Sequence, residues 1–343
     1  MNGLKRVLLS ALAAPGSRTA FGPFRRGIGT IFMLHRFADP ETGVAGHDPE
    51  ELRRTLALLR RRGYRLMELG EMFRRLRDDS PPEDLGVAFT LDDGYADQVR
   101  IAGPVFAEFD CPATVFVTTG FLDRQLWFWW DRIEHVFDRT TRSQFTVSIG
   151  NEAMTCIRDA RDSWTGARGE FIRRCKLLAD PAKLAAIEAL ATAAGVEVPA
   201  AAPARYAPMS WDELREWEGR GMTFGPHTVT HPILARTSDK QSRDELATGW
   251  ARLSAEARRP APVFCYPNGQ PGDFGEREIE TLAALGLAGA VVGTPGYAES
   301  ARLRARPGAA FQVGRFNYPD DTREVPQYVT GFERLRLPAE AST

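Results

Sequence analysis

The sequence repeatedly alternates short apolar segments with stretches of helical periodicity, and this alternation constrains its fold more than any other feature. Buried strands are short apolar runs, and alternation with helices over such a length predicts a parallel α/β fold. In this class, side chains at the carboxyl ends of the strands face the active-site mouth. The predicted strands are residues 30–34, 86–91, 113–117, 222–225, 263–266, 289–292 and 311–314.

A long insertion separates the third predicted strand from the fourth. The two strands lie about a hundred residues apart, whereas an ordinary connection is a few residues and a helix. We therefore predict an N-terminal segment 1–27, a main domain 28–330 interrupted by a mainly helical insertion 122–205, and a tail 331–343. In the insertion, Trp127, Trp130 and Phe137 have helix-compatible spacing, which favours a buried aromatic stripe over a sugar-stacking platform.

Composition excludes several function classes. The chain has 44 Lys+Arg and 45 Asp+Glu, a formal net charge of −1, so it lacks the basic excess that nucleic acid or an anionic membrane requires. The four cysteines have no C-x-x-C spacing, and the apolar runs are too short for a transmembrane helix. Residues 5–14 resemble a weak signal peptide. We expect a cytoplasmic protein, with export as the alternative.

Two polar clusters directly follow predicted strands. Asp92 and Asp93 end one strand and precede Gly94; His227 and His231 follow another. Two histidines four residues apart share a face if their segment is helical, and one Asp with two His completes a zinc set with a position left for water. The alternatives are a simple turn for the acidic pair and solvent-facing histidines.

The same residues carry a resemblance to a known family. Residues 89–95 read FTLDDGY and residues 227–232 read HTVTHP, and these segments resemble the first two motifs of the polysaccharide deacetylases, carbohydrate esterase family 4 with the NodB homology domain. The resemblance covers roughly residues 28–320 apart from the insertion. It implies a distorted (β/α) barrel of about seven strands. It also implies Asp92 as catalytic base and Asp93, His227 and His231 as ligands of a divalent metal, expected to be zinc.

The third motif departs from the family pattern. Residues 264–269 read FCYPNG, so Cys265 stands where the family has an arginine that orients the catalytic aspartate. Arg315, after a late strand, is the candidate substitute, and a surface salt bridge is its alternative role. The Tyr-Pro-Asn-Gly form resembles the branch that includes poly-N-acetylglucosamine deacetylases. We expect Asn268 and Tyr266 to contact the substrate, with a backbone N–H near Asn268 holding the oxyanion.

That branch is circularly permuted and carries its Leu-x-His counterpart on the first strand. Residues 33–35 read MLH, which makes His35 the expected general acid. The alternative for His35 is a core histidine bonded to a backbone carbonyl. Nothing in the sequence associates His47 or His135 with the site, so both are expected in the core or in solvent. The family's fourth, tryptophan-bearing motif is missing.

The implied reaction is metal-assisted hydrolysis of an N-acetyl group on a sugar of a surface or extracellular polysaccharide or its precursor. An O-acetyl group is the less favoured substrate. Two other functions remain open at this point. One is removal of a formyl group from a lipid-linked amino sugar, and the other is non-catalytic carbohydrate binding or assembly on the same barrel.

Overall fold

The computed structural model describes residues 9, 11–12, 14, 16–77, 84–159, 163–306 and 308–336. The chain forms two compact units, one comprising Met1–Leu122 with Pro208–Thr343 and the other Asp123–Ala207. Most of the signal-peptide-like stretch 5–14, and the tail beyond residue 336, lie outside the described residues. Among the described helices, none has both the length and the apolar character that crossing a bilayer requires.

The described strands run in chain order from β1 to β10. They are β1 (Ile28–Leu34), β2 (Val87–Asp93), β3 (Ala113–Val117), β4 (Gln144–Ile149), β5 (Glu152–Ile157), β6 (Thr223–Pro226), β7 (Val263–Cys265), β8 (Gly289–Val291), β9 (Ala298–Glu299) and β10 (Phe316–Asn317).

The helices fall mostly between the strands. They are α1 (Ser17–Ala20), α2 (Gly22–Arg25), α3 (Pro49–Arg61), α4 (Leu69–Leu76), α5 (Gly103–Glu108), α6 (Thr119–Leu122), α7 (Trp129–Arg139), α8 (Thr165–Cys175), α9 (Asp180–Ala194), α10 (Trp211–Glu218), α11 (Asp239–Glu256), α12 (Glu276–Ala284), α13 (Ser300–Ala305) and α14 (Val325–Val329). A π-helical turn at Gln98–Ala102 leads into α5.

The first unit is built on parallel strands in the order β10-β1-β2-β3-β6, with β9 added antiparallel to the start of β1. The parallel pair β7-β8 continues this order, and Val313 bridges β8 at Val291 just before β10. Between β6 and β7, the Ala261 N–H donates to the Phe224 carbonyl. The strands therefore form an incomplete ring, and the predicted α/β fold of the distorted-barrel type is confirmed.

The seventh predicted strand differs from the structure. Residues Ala309–Phe311 form a 3-10 turn, Val313 makes only an isolated bridge, and the strand lies later, at Phe316–Asn317. The segment has an apolar pattern, but Phe311 still belongs to the 3-10 turn, so only Val313 pairs with β8, donating to the Ala290 carbonyl and accepting the Val292 N–H. Immediately after it the backbones of Gly314 and Gly296 come close, because a Cβ on Gly314 would lie 2.8 Å from the Cα of Gly296.

Burial of apolar faces explains the helices that cover the ring. α3 begins where the Asp48 carboxylate accepts the N–H of Glu50, and it buries Leu52, Leu56 and Leu59 at helical spacing. The first unit's core continues with Phe73 of α4 and with strand residues such as Ile31. This packing fixes the strands and so determines where their carboxyl ends lie.

The second unit has its own core and contains more than helices. Besides helices α7, α8 and α9, the unit contains an antiparallel hairpin of β4 and β5, which lies between α7 and α8 in the chain. The prediction of a mainly helical insertion at 122–205 did not include this hairpin. The hairpin alternates buried and exposed residues, and its inner face packs with Phe137 and Phe171 of the helices. Alternation over six residues is a strand signal that the surrounding helical stretches obscured.

The aromatic stripe predicted for the insertion is wrong in one member. α7 begins at Trp129, so Trp127 precedes the helix, where its ring contacts the rings of His135 and Tyr206. Phe137 lies in the core of the unit, and the Trp130 ring stacks on Phe128. Trp127 therefore makes its ring contacts from the irregular segment that precedes α7.

Candidate active site

The polar residues singled out in the sequence converge at the carboxyl ends of the first unit's strands. Asp92 and Asp93 end β2, His35 directly follows β1 and His227 directly follows β6. Arg315 precedes β10 and is only 1% exposed. Residues almost three hundred positions apart in the chain therefore lie around one site, because parallel strands all end at the same face.

Arg315 and Asp92 form a buried ion pair. Both terminal nitrogens of the guanidinium donate to the carboxylate, each at 2.7 Å, and one of them also donates to the Thr90 hydroxyl at 3.0 Å. The remaining Nε donates to the Val292 carbonyl at 3.2 Å. This bidentate geometry fixes the orientation of the carboxylate plane. The surface salt bridge considered for Arg315 is not what the structure contains.

The ion pair keeps Asp92 ionised. Burial alone would raise the pKa of the Asp92 carboxyl, but the charge and hydrogen bonds of Arg315 hold that pKa well below its ordinary value. The Cys265 thiol also lies against the pair, 3.4 Å from Asp92 Oδ2 and 3.2 Å from the Arg315 guanidinium. Burial raises the pKa of Cys265, so this neighbour is a neutral thiol.

Asp93, His227 and His231 form a second cluster beside the ion pair. Asp93 Oδ1 lies 3.6 Å from His227 Nε2 and 3.5 Å from His231 Nε2. Burial and the neighbouring His227 lower the pKa of His231 to about 3, which makes its imidazole neutral at physiological pH. A buried carboxylate facing imidazole nitrogens is a donor set that suits a divalent transition metal.

The dimensions of this cluster fit a metal ion. Zinc bonds of about 2.0–2.1 Å at tetrahedral angles place ligand atoms about 3.4 Å apart, close to the observed separations. His227 Nδ1 lies 2.7 Å from the Cys265 carbonyl oxygen. Because a carbonyl can only accept, this nitrogen carries the proton and the Nε2 lone pair is left for a metal. These residues therefore fit a zinc ion.

Unusual backbone conformations aim these side chains. The φ angle is +90° at Asp93, +66° at Thr228 and +58° at His231, although none of the three is glycine. Such conformations cost on the order of 1–3 kcal/mol each and concentrate at functional sites. At Asp93 the positive φ breaks the strand's alternation, so two consecutive aspartates contribute to adjacent parts of one site.

His35 lies across from the ion pair. Its Nε2 is 3.9 Å from Asp92 Oδ2, and its side chain is 48% exposed. The Gln98 side-chain amide donates to the carbonyls of both His35 and Asp92, which ties the end of β1 to the end of β2. The imidazole of His35 is thus beside the carboxylate and open to solvent, which differs from a core histidine.

The side chains of Asn268 and Tyr266, both expected to contact the substrate, make contacts within the protein instead. Asn268 sits in the turn after β7 with φ +62°, and its amide donates to Asp273 at 2.6 Å. Tyr266 is 1% exposed, and its ring stacks on Phe274 with 3.8 Å between centroids. Because side chains alternate along the chain, Tyr266 points away from the interior that Cys265 faces. A packing role therefore replaces the substrate contact expected of the Tyr266 side chain.

The other two histidines stay out of this cluster. His47 Nδ1 lies 3.1 Å from the exposed carboxylate of Asp320, and burial lowers the pKa of His47. His135 belongs to the second unit, where its ring contacts Trp127.

Comparison with known proteins agrees with this geometry. The sequence model of the polysaccharide deacetylase family matches residues 185–290, the part that holds His227, His231 and Cys265. The fold is similar to Streptococcus pyogenes deacetylase PplD in complex with acetate, at 17% identity and TM-score 0.57 over 89% of this chain and 99% of that one. It is also similar to IcaB from Ammonifex degensii, at 17% identity and TM-score 0.54 over 89% and 97%. No curated protein matches the chain.

By this match, residues 185–290 are similar in sequence to the polysaccharide deacetylases. The match confirms the resemblance seen in the sequence and the prediction of a deacetylase-like hydrolase. Proteins of that family act on carbohydrate substrates. The structural neighbours, at 17% identity, add agreement in fold alone.

Two residues of the deacetylase-like site were not found from the sequence. Gln98 lies in a π-helical turn, and Glu245 on α11 accepts N–H groups of the loop between the two histidines. A π-helical turn often marks a functional site, but it has no readable sequence signature. In the sequence, Glu245 cannot be distinguished from an ordinary solvent-exposed glutamate of a helix. Its burial, with 7% of its surface exposed, is visible only in the structure.

Arg315→Met tests the ion pair. The variant leaves the buried Asp92 charge without a partner, so we expect a loss of about 3–5 kcal/mol in the free energy of unfolding, measured by urea denaturation at neutral pH. Adding Asp92→Asn to the same chain should recover a large part of that loss. Because pairing lowers the pKa of Asp92, its stabilisation is present above the ordinary carboxyl range and is lost as pH falls.

The difference between wild type and Arg315→Met should therefore narrow once the pH falls below about 4, from the ordinary carboxyl pKa toward the lowered pKa of Asp92. Equal destabilisation in the single and double variants would show that Arg315 acts through packing alone.

Proposed function

We propose that this protein is a metal-dependent hydrolase that removes N-acetyl groups from a sugar of a surface or extracellular polysaccharide or its precursor, of the poly-N-acetylglucosamine type. The observation that carries the proposal is one site with three parts. An ionised Asp92 is paired with Arg315, a three-ligand cluster centres on Asp93, and an open imidazole belongs to His35. Together these parts supply a base, a metal position and an acid.

Asp93, His227 and His231 would hold the metal. A divalent ion bound there, for which zinc is the best candidate, would polarise the acetyl carbonyl and lower the pKa of bound water to about 7. The protein's own contribution is to keep the ligand atoms buried and oriented. The Cys265 carbonyl does this for His227, and the Thr228 hydroxyl accepts the N–H of His231 at 3.0 Å.

Asp92 acts as general base. Its carboxylate accepts the proton of the attacking water, and the low pKa keeps it available for this purpose across the neutral range. Arg315 holds the carboxylate in one orientation without touching the substrate, so Arg315 is a positioning residue. It fills the role expected of an arginine in the third motif.

His35 acts as general acid. An amine leaves poorly as an anion, so the C–N bond breaks readily only if the nitrogen receives a proton. The exposed imidazole beside Asp92 is well placed to donate that proton to a sugar nitrogen bound between them. A backbone N–H of the turn at Asn268, which follows β7, is assigned to hold the negative charge that develops on the acetyl oxygen, and a bound metal would add to this stabilisation.

His231→Ala tests the metal site. We expect wild-type protein purified without added metal to carry about one equivalent of zinc per chain, and the variant to lose most of it, because three protein ligands are the usual minimum of a catalytic site. Elemental analysis measures both. Unchanged zinc in the variant would remove His231 from the ligand set. A wild type without stoichiometric metal would favour a non-catalytic carbohydrate-binding protein instead.

Asp92→Asn tests the base. The substitution is isosteric, and Asp92 is not a proposed ligand, so we expect normal zinc content with acetate release slowed by about 10²- to 10⁴-fold. The measurement is acetate released from an N-acetylated glucosamine oligomer. Turnover near the wild-type rate would exclude Asp92 as the base.

His35→Ala tests the acid through the leaving group. Acetate release from the N-acetyl oligomer should fall by about 10²- to 10⁴-fold, since the departing amine requires a proton. Hydrolysis of an activated aryl acetate should change little, because a phenolate leaves without one. His135→Ala, on the separate second unit, is the matched control and should leave both rates unchanged. An equal loss on the two substrates would indicate that His35 does not act as the acid.

A further inference from the structure

The loop between the two proposed metal histidines is held by a carboxylate from a neighbouring helix. Glu245 of α11 accepts the backbone N–H of Val229 at 2.8 Å and that of Thr230 at 2.9 Å through one oxygen. Its other oxygen accepts the Thr230 hydroxyl. The Glu245 side chain is 7% exposed, so these bonds are shielded from water and are stronger than surface hydrogen bonds.

This loop needs external support. Thr228 and His231 both adopt left-handed backbone conformations, which favour glycine and cost free energy in other residues. The histidine side chains can converge only while the backbone keeps this shape. A chain without support would relax toward ordinary conformations, and the two imidazoles would then separate.

The helix that carries Glu245 is shaped for this contact. Gly249 lies one turn further along α11, on the same face, and a Cβ there would lie 3.0 Å from the Thr228 carbonyl carbon. The absence of a side chain at Gly249 lets the helix approach the loop closely enough for the Glu245 carboxylate to reach both N–H groups. Glu245 and Gly249 thus lie on the face of α11 that packs against the loop.

We propose that Glu245 is a positioning residue for the metal site, which sets metal affinity by fixing the His227–His231 loop. The inference rests on the proposed role of these histidines as ligands, and it adds a determinant that contacts neither ligand side chain. Its effect passes through the backbone of Val229 and Thr230. Removal of partners that orient metal ligands typically weakens affinity by about 10- to 100-fold.

The test is the zinc dissociation constant of the full chain, measured by competition with a chelator. Glu245→Ala should raise it by about 10- to 100-fold. In Glu245→Gln the side-chain oxygen can still accept the two N–H groups, and the side-chain NH₂ can donate to the Thr230 hydroxyl. The zinc dissociation constant of this variant should therefore stay within about threefold of the wild-type value. If Glu245 acted through its negative charge, Glu245→Gln would lose affinity as Glu245→Ala does, which would overturn the positioning role.

Glu218 provides a matched control. It is 3% exposed and accepts two backbone N–H groups, those of Arg258 and Arg259, each at 3.0 Å. Glu218→Ala therefore removes the same kind of buried carboxylate from a loop without metal ligands. We expect it to lower the free energy of unfolding while leaving zinc affinity unchanged.

The outcomes separate this inference from the proposed function. Tight zinc binding by wild type and Glu245→Ala alike would overturn the inference and leave the ligand assignment intact. Equal losses of affinity in Glu245→Ala and Glu218→Ala would reduce Glu245 to a general stabilising residue, which also overturns it. A wild type that binds no zinc would refute the ligand assignment itself, and the inference with it.

Discussion

The buried pair of Asp92 and Arg315 is the interaction on which the rest of the site depends. A carboxylate removed from water loses several kcal/mol of hydration, which only a well-aligned cation and further hydrogen bonds can offset. Arg315 provides two such bonds from 223 positions further along the chain. It lies between the Val313 bridge to β8 and the pairing of β10 with β1. The buried, ionised carboxylate of Asp92 is therefore stabilised only when these strands have assembled.

Two adjacent aspartates acquire different chemistry because their environments differ. Asp92 faces a guanidinium, which favours the charged carboxylate and fixes its plane, whereas Asp93 faces two imidazole nitrogens at metal-ligand spacing. In a regular strand the two side chains would point to opposite faces. The left-handed backbone at Asp93 removes that constraint, in a conformation that costs free energy in residues other than glycine.

Strand positions and the residues that end the strands could be read from the sequence, because apolar runs and their polar termini are local patterns. Six predicted strands overlap strands of the structure, and Asp92, Asp93, His227, His231 and His35 lie together. The sequence did not predict which way a side chain points when it follows a short strand. Tyr266 follows a three-residue strand, and its orientation is set by stacking on Phe274. Gln98 and Glu245 act through backbone groups, which leave no pattern in the sequence.

The altered third motif has a steric explanation. Cys265 and Arg315 contact each other at 3.2 Å beside Asp92, and both are fully buried, so the space around the carboxylate holds one long side chain and one short one. An arginine at position 265 would overlap the Arg315 guanidinium. The small thiol is thus the complement of an arginine that comes from the segment just before β10. The buried Asp92 carboxylate needs a cation at one point in space, and the ends of several parallel strands lie close enough to that point to supply it.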